Sequence, residues 1–155
     1  MKFRVVEKLN EYGKKKAPIN KLITKIKEVN EDWREFKHGG CYELASALHY
    51  LYGGDLYAIE MYHREGDALK KYHIPRHVYL QYNNKFWDIM GSHTSEEIML
   101  NYWKKLTAKD EREDFLDVHI EDFKLEKLDY PEPLYGNTAW TFKLLDKIIK
   151  DHFPM

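Results

Sequence analysis

Two apolar runs, His77-Val78-Tyr79-Leu80-Gln81-Tyr82 and Phe86-Trp87-Asp88-Ile89-Met90, stand on either side of Asn83-Asn84. Asparagine tolerates positive φ, so the pair predicts a tight turn joining two antiparallel strands. A hairpin closing there sets Leu80 opposite Trp87 and brings His77 near Met90, with a two-residue slip available through a bulge. His77 and Asp88 then become diagonal neighbours, about 7–8 Å apart between backbones and within reach of one another's side chains.

The rest of the chain reads as helices around a small sheet. Val6, Leu9 and Tyr12 suggest a short amphipathic helix, and Ile19, Leu22, Ile23, Ile26, Val29 and Trp33 form a stripe at helical spacing after Pro18. Gly39-Gly40 introduces a helix whose buried face carries Leu44, Ala45, Leu48, Leu51 and Tyr52, and Gly53-Gly54 ends it. Leu56 to Tyr62 reads as a strand, followed by a polar loop through His63, Gly66, Asp67 and Lys70 that suits a mobile flap.

Thr94-Ser95-Glu96-Glu97 is a capping-box signature ahead of Ile98, Leu100, Tyr102, Trp103 and Leu106. Phe115 to Ile120 suggests a further strand at the sheet edge. Pro131 and Pro133 break the chain before a final helix capped by Asn137 or Thr138. The expected class is α+β, with helices packed against a small, mainly antiparallel sheet.

At 155 residues the chain suits one domain. Within it we expect a helical N-terminal part (1–36), a core carrying the site (37–122) and a C-terminal segment with its helix (123–155). Its 25 basic and 26 acidic residues nearly cancel, which gives no broad footprint for nucleic acid or anionic lipid. No run approaches the ~18 apolar residues of a membrane span, and early charges argue against a secretory leader. The single cysteine excludes an intramolecular disulfide and suits a reducing compartment, so a cytoplasmic location is expected.

That cysteine, Cys41, falls in the first turn of the helix after Gly39-Gly40. Unpaired N–H groups at a helix N-terminus favour an anion there, which suits a thiolate nucleophile. His77 and Asp88 supply the other two members of an acyl-transfer constellation: a base, and a carboxylate to orient it.

Cysteine at a helix start, histidine at a strand start and aspartate on the next strand before Gly91 resemble the papain-like superfamily, especially its transglutaminase-like branch. The resemblance covers Gly40 to Gly91. It implies a papain-like, transglutaminase-like core with Cys41 as nucleophile, His77 as general base and acid, and Asp88 as its orienter. It also implies cleavage of a peptide, isopeptide or glutamine side-chain amide through a thioester, with no cofactor and with a protein or peptide as substrate. The Cys41 N–H, Gly40, His38 and Tyr42 are candidate oxyanion or substrate contacts, with Trp87 a possible groove residue.

Two other readings compete. His63, His73, His77, Asp88 and His93 could supply a divalent metal, although Pro75 prevents His73 and His77 from forming a helical ligand pair. Glu35 places a carboxylate where an oxyanion donor would be useful, which favours a non-enzymatic scaffold that binds another protein through exposed aromatic rings.

Overall fold

In the computed structural model, residues 17–71, 77–107 and 122–153 are described. They form five helices and six strands, and the class is α+β with a small antiparallel sheet. The expected helix around Val6, Leu9 and Tyr12 and the expected strand over 115–120 lie outside the described residues.

Helix α1 (Ile19–Val29) buries Ile19, Leu22, Ile23 and Ile26 of the expected stripe, whereas Val29 at its end is exposed and Trp33 lies beyond it. A short helix, α2 (Glu35–His38), leads into α3 (Cys41–Tyr52). Gly53 and Gly54 then reverse the chain at φ of 82° and 85°. Gly54 is also a place of close approach, since a Cβ there would meet the Gln81 carbonyl oxygen at 2.2 Å.

Strand β1 (Asp55–Glu65) is longer than the apolar run suggests. The expected polar flap is instead a β-hairpin: β1 continues through His63, turns at Gly66-Asp67, and returns as β2 (Ala68–Lys71) with Tyr62 opposite Lys71. Gly66 adopts φ 65°, which this turn needs and glycine supplies without strain. All four β2 residues are exposed, the apolar Leu69 among them.

Strands β3 (His77–Tyr82) and β4 (Lys85–Asp88) form the expected hairpin. Asn83 and Asn84 take φ of 51° and 60°, and Leu80 lies opposite Trp87. Strand β5 (Gly91–His93) folds back on β4 with Asp88 opposite Gly91. Helix α4 (Ser95–Thr107) starts after Thr94, whose hydroxyl accepts the Glu97 N–H at 3.1 Å, the first half of the capping box.

Strand β6 (Asp122–Lys127) pairs with β1 along Tyr57–Tyr62. The last helix, α5 (Gly136–His152), begins earlier than expected, with Tyr135 at the cap and no side-chain capping bond. Asn137 and Thr138 therefore lie inside the helix, and the Asn137 carbonyl accepts the Thr141 hydroxyl at 2.8 Å.

Side chains alternate across the sheet and give two apolar layers. Leu56, Ala58, Val78 and Leu80 pack on one face with residues of α1, α3 and α5. Ile59, Met61, Tyr79 and Phe86 pack on the other with Ile98 and Tyr102 of α4 and Phe123 of β6. Among the described residues no helix is long and apolar enough to cross a membrane.

Candidate active site

Topology brings the cysteine and the histidine to the same end of the sheet. Helix α3 ends at Tyr52, and the next residues reach the Gln81 end of β3, since Asp55 pairs with Gln81. From there α3 runs back about 16 Å to Cys41 at ~1.5 Å per residue, and β3 runs back about 13 Å to His77 at ~3.3 Å per residue. Two elements of similar length, joined at one end, bring their other ends together.

His77 and Asp88 meet as diagonal neighbours. Continuing the Leu80–Trp87 register sets Tyr79 opposite Asp88, so His77 lies two residues along on the same face, and no bulge is needed. His77 Nε2 is 2.9 Å from Asp88 Oδ2. Both residues are buried. Cys41, half-buried at the start of α3, is near enough to the same imidazole to help raise its pKa. With Nε2 facing Asp88, Nδ1 is the ring nitrogen available to the sulfur.

Burial by itself pulls the His77 pKa down, but hydrogen bonds to Asp88 and Cys41 together with their charges outweigh it and push it up to about 9. Asp88 shows the converse balance. Burial would raise it, yet its bonds to His77 and His93 hold the carboxyl well below the usual carboxylate range. The site thus pairs a carboxylate with an imidazole that holds its proton near neutral pH.

His93, which the sequence grouped with His77 and Asp88 only as a metal ligand, joins them here as a second partner of the carboxylate. Its Nε2 lies 2.8 Å from Asp88 Oδ1, and the same oxygen accepts the Met90 N–H at 2.9 Å. The Met90 contact is an aspartate turn that bends β4 into β5, with Gly91 at φ 110° completing the reversal. The signal was the aspartate two residues before Met90-Gly91, which predicts a tight return and sends His93 back beside the carboxylate. Tyr79 lies between the two imidazoles, its ring edge-on to His77 at 4.7 Å and to His93 at 5.8 Å. Burial raises its phenol pKa, so the ring remains neutral beside them.

The secondary candidates are distributed differently. The Gly40 N–H donates to the Glu35 carbonyl at 2.7 Å, so it is engaged within the α2–α3 loop. Tyr42 donates its hydroxyl to the Tyr130 carbonyl at 3.1 Å, tying α3 to the segment before α5. Trp87 alternates with Asp88 and therefore packs on the opposite sheet face, its indole N–H donating to the Tyr82 carbonyl at 2.9 Å. The side chain of His38 lies outside the described residues. At the N-terminus of α3, the Leu44 N–H is the first to find an intrahelical acceptor, the Gly40 carbonyl. The Cys41, Tyr42 and Glu43 N–H groups precede it.

Among the described residues no group of three or more histidine, cysteine, aspartate or glutamate side chains could hold a metal ion. His77 and His93 instead each bond to Asp88, and His73 lies outside the described residues.

Against known families, the sequence model of the phage YunG-like proteins matches residues 20–131, well over half of the chain and the whole of the cluster just described. The chain belongs to the phage YunG-like family. That match overturns membership of the papain-like superfamily or its transglutaminase-like branch, which rested on the order and placement of three residues. A cysteine, a histidine and an aspartate can converge on unrelated folds, so their order does not identify a lineage. No curated protein and no solved structure matches the chain.

Proposed function

We propose that this member of the phage YunG-like family is a cysteine-dependent amide or acyl hydrolase in which Cys41 is the nucleophile, His77 the proton carrier and Asp88 its orienter. The observation that carries the reading is the buried imidazole of His77, 2.9 Å from Asp88 and raised in pKa by its proximity to both Asp88 and Cys41. A protonated imidazole beside a sulfur favours the thiolate, which is the attacking species in such chemistry.

The sulfur adds to the carbonyl carbon, and the oxyanion forms near the leading N–H groups of α3, where the helix dipole favours negative charge. As the carbon–nitrogen bond breaks, His77 gives its proton to the departing amine and a thioester remains. Water then adds to the thioester while His77 takes its proton, and the sulfur leaves as thiolate with the acid product. An amide nitrogen of a peptide, an isopeptide or a glutamine side chain satisfies this sequence equally well.

Alkylation by iodoacetamide at pH 6 tests the proposal, and with one cysteine in the chain every adduct reports on Cys41. Cys41 is expected to react at least about 10-fold faster than N-acetylcysteine, and His77→Ala is expected to remove that excess. Equal rates in the wild type and the variant would reject the catalytic reading and favour a scaffold that only binds. The exposed rings of Trp103, Tyr130, Tyr135 and Trp140 are the observation favouring that second reading.

A further inference from the structure

A cavity of about 440 Å³ opens where α2, the start of α3 and the start of α5 meet. Its walls include Glu35, Gly40, Glu43, Asn137, Trp140 and Thr141. It is separate from the thiol: Glu43 follows Cys41 by two residues, about 200° around the helix, so the two side chains leave opposite sides of α3. Its volume is in the range of small-ligand pockets.

The chemistry of its walls is one-sided. Both charged residues among the described lining are glutamates. Glu43 is the third residue of α3, the position from which a glutamate commonly reaches back to the backbone N–H at the helix cap. Here the Gly40 N–H already donates to the Glu35 carbonyl at 2.7 Å, so that local partner is taken. The Oε2 of Glu43 is buried and has no hydrogen-bond partner among the described residues. A buried carboxylate oxygen left in this way is costly unless a donor satisfies it. Trp140 also lines the cavity and is 60% exposed, and an indole ring is the strongest aromatic partner for a cation.

We infer that this cavity is a binding site for a cationic side chain, a guanidinium or alkylammonium group that donates to Glu43, lies on the Trp140 ring and is further attracted by Glu35. Asn137 at the rim supplies an amide for the peptide group attached to that side chain. The site is independent of the thiol chemistry and does not require it.

Titration of the full-length protein with Nα-acetyl-arginine methylamide, followed by the fluorescence of its tryptophans and by calorimetry, tests the inference, with the uncharged citrulline analogue as control. Saturable binding of the arginine compound is expected, with the citrulline analogue at least about 10-fold weaker. Glu43→Gln should weaken binding by about 10- to 100-fold, and Trp140→Ala by a smaller factor, while Cys41→Ser should leave it unchanged. Each variant's circular dichroism should match the wild type, and if Glu43→Gln misfolds, Trp140→Ala at its exposed position carries the test. Equal binding of the charged and neutral compounds, no saturable binding, or full affinity in both Glu43→Gln and Trp140→Ala would overturn it. Loss of binding in Cys41→Ser would also contradict the independence of the two sites.

Discussion

His93 Nε2 lies 2.8 Å from Oδ1 of Asp88, the oxygen that His77 does not use. The carboxylate is therefore held from both sides, and the Met90 N–H fixes the same Oδ1 at 2.9 Å. A carboxylate with three donors cannot rotate without breaking a bond, so the imidazole of His77 is oriented by a group that is itself oriented.

Replacing that carboxylate should separate orientation from packing. Asp88→Asn keeps the volume but removes the charge that stabilises a protonated His77 and sets its tautomer. Hydrolytic turnover and the alkylation excess at Cys41 should both fall, turnover by about 10³-fold or more. Wild-type turnover in a folded Asp88→Asn protein would remove Asp88 from its assigned role.

His93 should act through Asp88 and not through the sulfur. In His93→Ala the carboxylate loses one of the two imidazoles that hold its pKa down, so its protonation should move to higher pH. The acid-unfolding midpoint, followed by circular dichroism, should rise with it, and His93→Gln, which can still donate, should restore part of the difference. An unchanged acid midpoint in His93→Ala would show that the contact carries no electrostatic weight.

The same cluster predicts a stability profile against pH. His77 is raised to about 9 in the folded protein from an ordinary 6.5. Its contribution, on the order of 3 kcal/mol shared with its partners, is fully present below pH 6.5 and is lost as pH rises toward 9. Asp88 is shifted the other way, from an ordinary 3.8, so its contribution is present above that value and is lost as pH falls below it. Melting temperature should therefore form a plateau between about pH 4 and 6.5 and decline on both sides. A melting temperature constant from pH 6.5 to 9 would contradict the His77 assignment, and His77→Ala should flatten the alkaline decline.

Gly54 should be among the least replaceable positions. At φ 85°, with the Gln81 carbonyl oxygen 2.2 Å from where a Cβ would stand, Gly54→Ala must displace the start of β1 from β3. We expect a loss of about 2–4 kcal/mol, read from urea unfolding. Gly66→Ala provides the comparison: its φ is also positive, but none of the described residues comes within 4 Å of where a Cβ would stand, so the loss should be about 1 kcal/mol.

Features set by a few neighbouring residues were legible from the chain alone. Asn83-Asn84 specified the turn and the Leu80–Trp87 register, Thr94 the start of α4, and the Ile19–Ile26 stripe the buried side of α1, because backbone stereochemistry and side-chain periodicity act within one or two turns. The hairpin register was also enough to bring His77 and Asp88 together. What the chain alone could not reveal was which distant group each donor or acceptor would find. Tyr42 bonds to the Tyr130 carbonyl, Tyr50 to the Glu132 carbonyl, and Tyr52 to the Ala17 carbonyl. Hydrogen bonds are short-ranged, and their partners are selected only once the sheet has stacked between its helices. Local spacing thus determined the β3–β4 hairpin, the buried side of α1 and the His77–Asp88 pair with its His93 brace, while tertiary packing brought Cys41 to that pair and left Glu43 lining a cavity.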